Sequence, residues 1–438
     1  MELPKHLLAC ALGALVLAAC GGGGNTPANG DGNDGTHAAV SLRVLSSAPE
    51  YVSGGDARIA VRAIGTDMGQ LQLWLNGEPV AADLGASAEG FEGVVSGLQE
   101  GANTLEVRDD RDRKLAALSL TNHPITGPMF SGSHQEPFVC TVVDQLGREP
   151  LADTGDSRYF AVHSGGSTVG YSKNCSIEPY VQYYYVPAGG SSYKPMPADG
   201  SRPADMGTTQ LADGRTVDLI VRWERGTINR FIYQYMMLAP LGEDPVQPDT
   251  SLWNRRLVYF FEGGVGFGNS QGKPTRNTAL MAALEKGYAI AYSSGTRTST
   301  HYNLVLGGET AMMTKEGFIK RYGMPMHTVG LGGSGGAIQQ YLYAQNHPGL
   351  IDAAIPQQPY PDMVGQIPHV GDCELLEHYM DVTDHENAKW RVTKNRTWLV
   401  GMNAEDSVAN PFLPLEDILN NIAGGPRMAF APGSTECR

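Results

Sequence analysis

The sequence predicts a small β-sandwich followed by a larger α/β domain with a doubly wound, mostly parallel sheet. Short strands of alternating polarity, without long helices, fill residues 38–121. From residue 216 onward, strands instead alternate with helices. The 55 Gly and 27 Pro among 438 residues indicate many turns and argue against a helical bundle.

Composition limits the classes of protein that remain. A length of 438 residues suits two or three domains, and 41% hydrophobic residues are enough for a sizeable core. The net charge of -14 argues against a nucleic-acid partner, which would require a basic surface. No apolar run after the first 20 residues reaches the ~18 residues of a membrane span.

The N-terminus resembles an export signal. Residues 1–19 carry a short polar start and an apolar run that ends in Leu17-Ala18-Ala19-Cys20, which resembles the lipobox of bacterial lipoproteins. We expect lipidation at Cys20 and a flexible tether over residues 20–37. Gly21 favours the outer membrane, facing the periplasm or the cell surface. An ordinary signal peptide with a chance Cys is the alternative.

Export places the remaining cysteines in an oxidising compartment. Cys140, Cys175, Cys373 and Cys437 are even in number and show no CxxC spacing, so we expect two disulfides and no bound metal. Four cysteines allow three pairings. Proximity along the chain favours Cys140 with Cys175 and Cys373 with Cys437.

Residues 38–121 are expected to form an immunoglobulin-like sandwich. Ile59 and Val61 share one face of a strand, and Asn76-Gly77 is a strong hairpin signal. Such a domain is either a spacer or a polymer-binding module. Residues 122–215 form a Tyr-rich loop and strand region, which either lines a site for sugars or aromatic groups or is packed surface.

The α/β domain is expected over residues 216–438, with a lid insertion at about 356–396. An antiparallel pair (217–223 and 229–238) precedes the alternating part. The remaining predicted strands are 257–261, 288–292, 327–331, 351–355 and 398–401, and the predicted helices are 278–286, 311–322 and 337–346.

A glycine-rich turn joins one of these strands to a helix. The sequence GGSGG at 332–336 fits G-x-S-x-G, with an apolar strand before it and a helix after it. This context is typical of a nucleophile elbow, in which glycines two residues before and after the serine avoid collisions. We therefore expect Ser334 to be a catalytic nucleophile. A purely structural Gly-rich turn is the alternative.

A second glycine-rich loop, EGGVGFG at 262–268, directly follows a continuous apolar strand. In α/β-hydrolases this position supplies an oxyanion-hole amide, because glycines let backbone N–H groups approach a substrate oxygen. We expect Gly264, Val265 and Gly335 to be oxyanion donors. Glu262 stands where His is usual. Dinucleotide and phosphate-loop patterns are not matched, so no cofactor is expected.

Several stretches resemble a bacterial family of exported α/β-hydrolase-like proteins of unknown function. They are residues 118–124 (LSLTNHP), 128–132, 224–230 (ERGTINR), 261–266 and 332–341 (GGSGGAIQQY). The resemblance covers nearly the whole mature chain and implies an N-terminal β-sandwich and a hydrolase-like domain, without a known substrate. More distantly, the plan is similar to tannase-type esterases and polyester depolymerases.

The acid and the base of a catalytic triad are harder to place. In this fold the order is Ser, then Asp or Glu, then His. Asp406, after the predicted strand 398–401, is the expected acid, with Glu405 as an alternative. The last histidine is His385, so none follows the expected acid.

Three explanations stay open for the base. The chain is cut short and the histidine lies beyond Arg438; a lid histidine serves, with His385 preferred over His369 and His378; or the site has no base and the protein binds without cutting. We expect an exported, lipid-anchored serine esterase acting on an ester-containing small molecule or polymer. The alternative is a catalytically incomplete surface lipoprotein that binds a glycan or polymer.

Overall fold

The computed structural model describes residues 39–64, 68–87, 90–266, 268–275, 277, 280–359, 376, 379–392 and 395. The expected signal segment, tether, lipidated Cys20, acid Asp406, Cys373 and Cys437 lie outside these residues, as do the predicted strand 398–401 and much of the predicted lid. The predicted segment boundaries stay predictions. Within the described part of the chain, no helix is both long and apolar enough to cross a membrane.

The N-terminal part consists of nine strands in two sheets. The strands are β1 (Ala39–Val44), β2 (Val52–Ser53), β3 (Asp56–Ile64), β4 (Leu71–Leu75), β5 (Glu78–Pro79), β6 (Gly85–Ser87), β7 (Gly90–Ser96), β8 (Gly101–Asp109) and β9 (Lys114–His123), with 3-10 turns at Pro49–Tyr51 and Met68–Gln70. The sheets have the orders β1-β3-β7-β6 and β2-β9-β8-β4-β5.

The two sheets pack face to face as a β-sandwich. Ile59 and Val61 of β3 are buried against Leu105 and Val107 of β8, as the alternation of β3 predicts. The expected Asn76-Gly77 hairpin joins β4 to β5, and both of its residues have positive φ.

A loop-rich region follows the sandwich. Its elements are α1 (Val142–Leu146), β10 (Phe160–Ser164), β11 (Ser167–Ser172), β12 (Tyr180–Tyr185), β13 (Lys194–Pro195), β14 (Thr208–Gln210) and β15 (Thr216–Asp218). A disulfide joins Cys140 to Cys175, which confirms that predicted pairing. The pairs β10/β11 and β14/β15 are separate hairpins, whereas β12 and β13 join the central sheet.

In the described part of the chain, the central sheet has eight strands in the order β13-β12-β16-β17-β19-β18-β20-β21. Its other strands are β16 (Ile220–Ile228), β17 (Phe231–Leu238), β18 (Arg256–Glu262), β19 (Ala289–Arg297), β20 (His327–Gly333) and β21 (Ala353–Gln357). The helices that accompany these strands are the single-turn α2 (Met281–Leu284) and the longer α3 (Leu304–Tyr322) and α4 (Gly335–Asn346). Short helical turns follow at Tyr379–Thr383 and Ala388–Arg391.

Strand direction divides this sheet into two halves, so the expectation of a mostly parallel sheet is wrong for the described strands. β18, β19, β20 and β21 pair in parallel. β12, β13, β16 and β17 pair antiparallel, and so do β17 and β19. Within the antiparallel half, a two-residue turn connects β16 to β17, and loops and hairpins without a helix connect β12 to β16.

Helices cover both faces of the sheet. Tyr259 and Phe261 of β18 face one cluster, which includes residues of α3 and α4. Val258 and Phe260, the alternate residues, face a second cluster with α2. Helices therefore lie on both faces of the described sheet, although α2 is a single turn.

Helix α3 begins seven residues before its predicted start. Asn303 caps it by accepting N–H groups of Val305 and Leu306. Gly307 and Gly308, which the sequence pattern marks as breakers, lie against the Tyr343 hydroxyl and the His347 ring. Any Cβ there would collide, so the glycines serve the close packing of α3 on α4.

The sandwich contacts the C-terminal half of α3 through polar groups. Glu316 accepts the N–H of Ser53 at 3.0 Å and its hydroxyl at 2.5 Å. Lys320 forms an ion pair with Asp56 at 2.9 Å, and Arg58 Nε donates to the Ile319 carbonyl at 2.9 Å. These buried bonds connect the sandwich directly to the helix that backs the central sheet.

Candidate active site

Ser334 lies at a sharp turn between β20 and α4. Its backbone has φ 55° and ψ -123°, a left-handed conformation that is unusual for a residue with a side chain. The predicted strand–turn–helix is therefore present, with β20 ending at Gly333 and α4 starting at Gly335.

The glycines of this turn are required by one backbone oxygen. A Cβ at Gly332 or at Gly336 would overlap the carbonyl oxygen of Phe261, the penultimate residue of β18. The two positions are those that the G-x-S-x-G pattern specifies. Gly333, between them, would bring a Cβ only into ordinary contact, 3.4 Å from the Gln357 oxygen.

The side chain of Ser334 is half-buried and available. Its backbone N–H donates to the Gln357 carbonyl at 3.0 Å, which fixes the turn against β21. Its hydroxyl has no hydrogen-bond partner among the described residues. A partly exposed hydroxyl on a fixed, strained turn is suited to attack an incoming substrate.

The loop after β18 lies directly beside Ser334. A Cβ at Gly263 would overlap the Gly333 oxygen and lie 3.2 Å from the Cβ of Ser334 and 3.3 Å from the N of Gly335. Gly264 has φ 104°, a value that favours glycine. Its carbonyl accepts a hydrogen bond of 2.5 Å from Thr298 Oγ1, which fixes the peptide plane that carries the N–H of Val265.

Among the described residues, no hydrogen bond is donated by the backbone N–H groups of the predicted oxyanion donors Gly264, Val265 and Gly335. Gly335 is adjacent to Ser334, and Gly263, next to Gly264, packs against the turn. Gly335 is the first residue of α4, where N–H groups have no partner within the helix and the helix dipole favours negative charge. The arrangement can hold an oxygen that becomes negative during attack on a carbonyl.

Glu262, at the position where His is usual, forms an ion pair instead. Its carboxylate lies 3.2 Å from Arg297 of the neighbouring strand β19, and its carbonyl accepts the N–H of Thr298 at 3.1 Å. Arg297 also donates to Ser299 Oγ at 2.5 Å. These contacts hold the glycine loop from the β19 side. No local sequence pattern predicts them, because Glu262 and Arg297 lie on different strands.

Two glutamines of the GGSGGAIQQY stretch support the turn from below. Gln340 Nε2 donates to the carbonyls of Gly332 at 3.1 Å and Gly336 at 3.0 Å, while its Oε1 accepts the N–H of Ile355. Gln339 donates to the Thr296 carbonyl at 3.1 Å. Both are buried, and two adjacent amides in an otherwise apolar helix were the signal for this role.

His385, the expected base, lies on the surface of the described lid segment. Its Nδ1 donates to the Val382 carbonyl at 2.9 Å. The adjacent Asp384 does not orient it, because that carboxylate accepts from Trp390 Nε1 at 2.8 Å, a bond that lowers the pKa of Asp384. Among the described residues no hydrogen bond joins any histidine to Ser334.

The ERGTINR and 128–132 stretches meet away from Ser334, around Glu309 of α3. This buried carboxylate accepts three consecutive N–H groups, from Met129 at 2.9 Å, Phe130 at 2.6 Å and Ser131 at 2.7 Å. It also accepts the Ser131 hydroxyl and the side-chain amide of Asn229. These motifs therefore serve the connection between the loop region and the sheet.

The ERGTINR strand also carries a buried polar network. Glu224 accepts the hydroxyls of Tyr322 at 2.6 Å and Tyr233 at 3.0 Å. Burial raises the pKa of Tyr322, and the neighbouring Glu224 carboxylate adds to that rise. Both tyrosines are thus neutral donors that tie α3 to the middle of the sheet.

A family model described as a tannase-like family of unknown function (DUF6351) matches residues 42–431. Among solved structures, tannin acyl hydrolase from Aspergillus niger is similar with 12% identity and a TM-score of 0.24, over 52% of this chain and 45% of that chain. A protein described as a dipeptidyl aminopeptidase IV from Bacteroides ovatus is similar with 12% identity and a TM-score of 0.21, over 69% of this chain and 33% of that chain. This chain thus spans less than half of either solved chain, and neither likeness bears on activity. No curated protein matches.

Proposed function

This chain belongs to the tannase-like family of unknown function DUF6351, and we propose that it is a serine hydrolase that cleaves carboxylic esters through an acyl-enzyme on Ser334. One observation carries the proposal: a half-buried serine in strained backbone between a strand and a helix, packed against a glycine loop. The sheet, its helices on both faces and the turn at Ser334 support an α/β-hydrolase fold.

The reaction proceeds in two halves. A general base takes the hydroxyl proton of Ser334 while Oγ attacks the ester carbonyl carbon. The N–H groups of Gly264, Val265 and Gly335 hold the resulting oxyanion, each donor contributing about 3 kcal/mol to lowering the barrier. The alcohol leaves with the proton, and water then hydrolyses the acyl-enzyme.

For the base and the acid we propose His385 and Asp406. Because Nδ1–H of His385 is donated to the Val382 carbonyl, Nε2 keeps its lone pair, as a base requires. Asp406 and the alternatives Glu405, His369 and His378 lie outside the described residues. Alanine variants of the three histidines, compared by the rate of probe labelling, identify the base: the essential one slows labelling by ~10³-fold or more.

The substrate we propose is an ester-bearing small molecule or polymer outside the cytoplasm. We further propose that Cys20 carries a lipid anchor and that the protein resides at the outer membrane. The Leu17-Ala18-Ala19-Cys20 sequence and the following Gly-rich segment support this. Metabolic labelling with a clickable fatty acid, lost in Cys20→Ala, tests the anchor.

A fluorophosphonate probe tests the nucleophile. We expect one adduct per chain on the wild-type protein and none on Ser334→Ala. Ser164→Ala, which alters an exposed serine of β10, is the matched control and is expected to label normally. Undiminished labelling of Ser334→Ala, or none of the wild type, contradicts the proposal.

A polymer-binding protein is the second candidate, and a cleft of about 180 Å³ favours it. Tyr180, Gln182, Tyr184 and Arg225 line this cleft, and aromatic rings beside amides are typical of sugar-binding surfaces. Retention on insoluble polysaccharide that persists in Ser334→Ala but disappears in Tyr184→Ala, without ester turnover, would favour this function. Turnover dependent on Ser334 would favour the first.

A further inference from the structure

A small cavity lies at the far end of the glycine loop, away from Ser334. Its volume is about 60 Å³, and it lies between the turn joining β16 to β17 and the segments 268–270 and 301–306. Lining residues include Arg230, His301, His134, Phe138, Ser270 and Asn303. The cavity is large enough for a few non-hydrogen atoms of a ligand or for water.

Arg230 brings a buried positive charge to this cavity, and the carboxylates of Glu136 and Asp153 oppose that charge only from beyond ion-pair distance. The residue is 3% exposed, and its guanidinium lies 3.8 Å from the centre of the Phe138 ring. Its Nε has no partner, and its terminal nitrogens reach only the carbonyls of Gln135 at 3.5 Å and Lys173 at 3.3 Å. Among the described residues no carboxylate lies within ion-pair distance. A buried cation in this state is stabilised by an anion.

His301 adds unpaired polar atoms to the same cavity. It is 8% exposed, packs against the Phe231 ring at 5.0 Å, and neither ring nitrogen has a hydrogen-bond partner. Burial lowers the pKa of His301 to about 4, an effect that the Gly295 carbonyl, outside hydrogen-bond geometry, partly offsets. The neutral ring therefore offers one N–H donor. His134 Nε2 is likewise buried and unpaired.

The backbone at Arg230 is strained. Asn229 and Arg230, with φ 50° and 67°, form the two-residue turn between β16 and β17. Such turns favour glycine at the second position, where a larger residue is strained. An arginine whose Nε has no partner, held at a position suited to glycine, supports a binding role for its guanidinium.

We propose that this cavity is a binding site for the carboxylate of a small organic anion. Arg230 Nε–H and one N–H of His301 donate to the carboxylate oxygens, and the ligand charge balances the guanidinium. A carboxylate fits better than a phosphate, because few donors are free and the volume is small. Segment 268–270 continues the glycine loop, so the site adjoins the Ser334 region without using Ser334. The proposal therefore stands or falls independently of ester cleavage.

Thermal unfolding of the full chain at pH 7, with ionic strength fixed by sodium chloride, tests the site. We expect sodium acetate to raise Tm by a few degrees with a saturating dependence on concentration, and the neutral isostere acetamide to leave Tm unchanged. Equal responses to acetate and acetamide would mean that the cavity holds water alone, and would overturn the proposal.

Variants locate the effect. His301→Phe and Arg230→Met are expected to lose more than half of the acetate shift. Arg225→Met is the matched control, since Arg225 is also buried and lies 4.2 Å over an aromatic ring, that of Trp223, but lines the other cleft. It is expected to keep the shift. If Arg230→Met does not fold, His301→Phe decides: an unaltered shift in that variant overturns the proposal.

Discussion

Of the turns that hold non-glycine residues in left-handed backbone, the elbow at Ser334 and the turn between β16 and β17 differ most clearly in their surroundings. At the elbow, Ser334 has φ 55°, its neighbours are glycines, and its hydroxyl is half-exposed without a described partner. At the turn between β16 and β17, Asn229 and Arg230 have φ 50° and 67° and are almost completely buried.

The surroundings of the elbow are suited to reaction with a substrate, whereas those of Asn229 are suited to stabilising the fold. The elbow leaves N–H groups at Gly264, Val265 and Gly335 unpaired, so it is prepared for an oxygen that comes from outside. The turn at Asn229 instead supports a carboxylate, Glu309, that is saturated by hydrogen bonds from within the chain. Similar backbone strain therefore accompanies a proposed reaction site in one place and, in the other, a buried junction at Asn229 beside the proposed anion site at Arg230.

The largest expected effect comes from removing the serine hydroxyl at the elbow. Ser334→Ala is expected to lower ester turnover by ~10³- to 10⁶-fold, because the nucleophile is gone while the oxyanion donors remain. Stability is expected to stay within about 1 kcal/mol of wild type, since the hydroxyl has no described bond to lose. The rate of ester turnover and the midpoint of urea unfolding measure these two effects. A large loss of stability in Ser334→Ala would contradict the proposed difference between the two turns.

Disrupting the buried hydrogen bonds of Glu309 is expected to lower stability and to leave reactivity at Ser334 unchanged. Glu309→Gln should destabilise the fold by about 2–4 kcal/mol, because its new NH₂ group would face N–H donors that need an acceptor. The midpoint of urea unfolding measures this loss. Under conditions where the variant is still folded, the rate of fluorophosphonate labelling should change little. A labelling rate that falls while stability is kept would place Glu309 in the site.

The glycines of the elbow offer a matched pair. Gly336→Ala is expected to cost about 2–3 kcal/mol of stability, because its Cβ would overlap the Phe261 carbonyl oxygen, which belongs to rigid sheet backbone. Gly333→Ala, with only ordinary contacts, is the control and should cost less. Equal unfolding midpoints for the two variants would refute the steric explanation of the motif.

The buried His301, near the turn at Arg230, predicts that the free energy of unfolding depends on pH. Burial lowers the pKa of His301 from 6.5 to about 4, so the folded chain binds fewer protons than the unfolded chain between these values. The stabilisation is present above pH 6.5 and is lost as the pH falls towards 4, by about 3 kcal/mol over the whole range and about 2 kcal/mol between pH 7 and pH 5. Unfolding at pH 7 and pH 5 in acetate-free buffer should show a smaller pH effect in His301→Gln than in wild type. An unchanged pH effect would contradict the assignment.

Sequence was sufficient wherever a local pattern has a local cause. The elbow, the Asn76-Gly77 hairpin and the β16/β17 pair follow from glycine placement, turn chemistry and apolar alternation, and the structure has all three. The Cys140–Cys175 disulfide followed from proximity in the chain. In each case the residues that determine the feature are close together in sequence.

Sequence failed where the cause lies elsewhere in the fold. The early start of α3 depends on Gly307 and Gly308 packing against α4, a contact that only the folded chain contains. Sequence alone does not predict that Glu309 is buried, because the N–H groups that it accepts come from residues 129–131, far away in the chain. Strand direction in the amino-terminal half of the sheet likewise depends on connections, which apolar runs do not specify.

The central claim, an acyl-enzyme on Ser334, is tested most directly by trapping that intermediate. The protein is mixed with p-nitrophenyl acetate, quenched in acid within the first turnover, and analysed by intact and peptide mass spectrometry. We expect one acetyl group per chain on Ser334. It should form in a burst and then be lost by hydrolysis. No acetyl group on the wild-type protein, or the same adduct on Ser334→Ala, would contradict it.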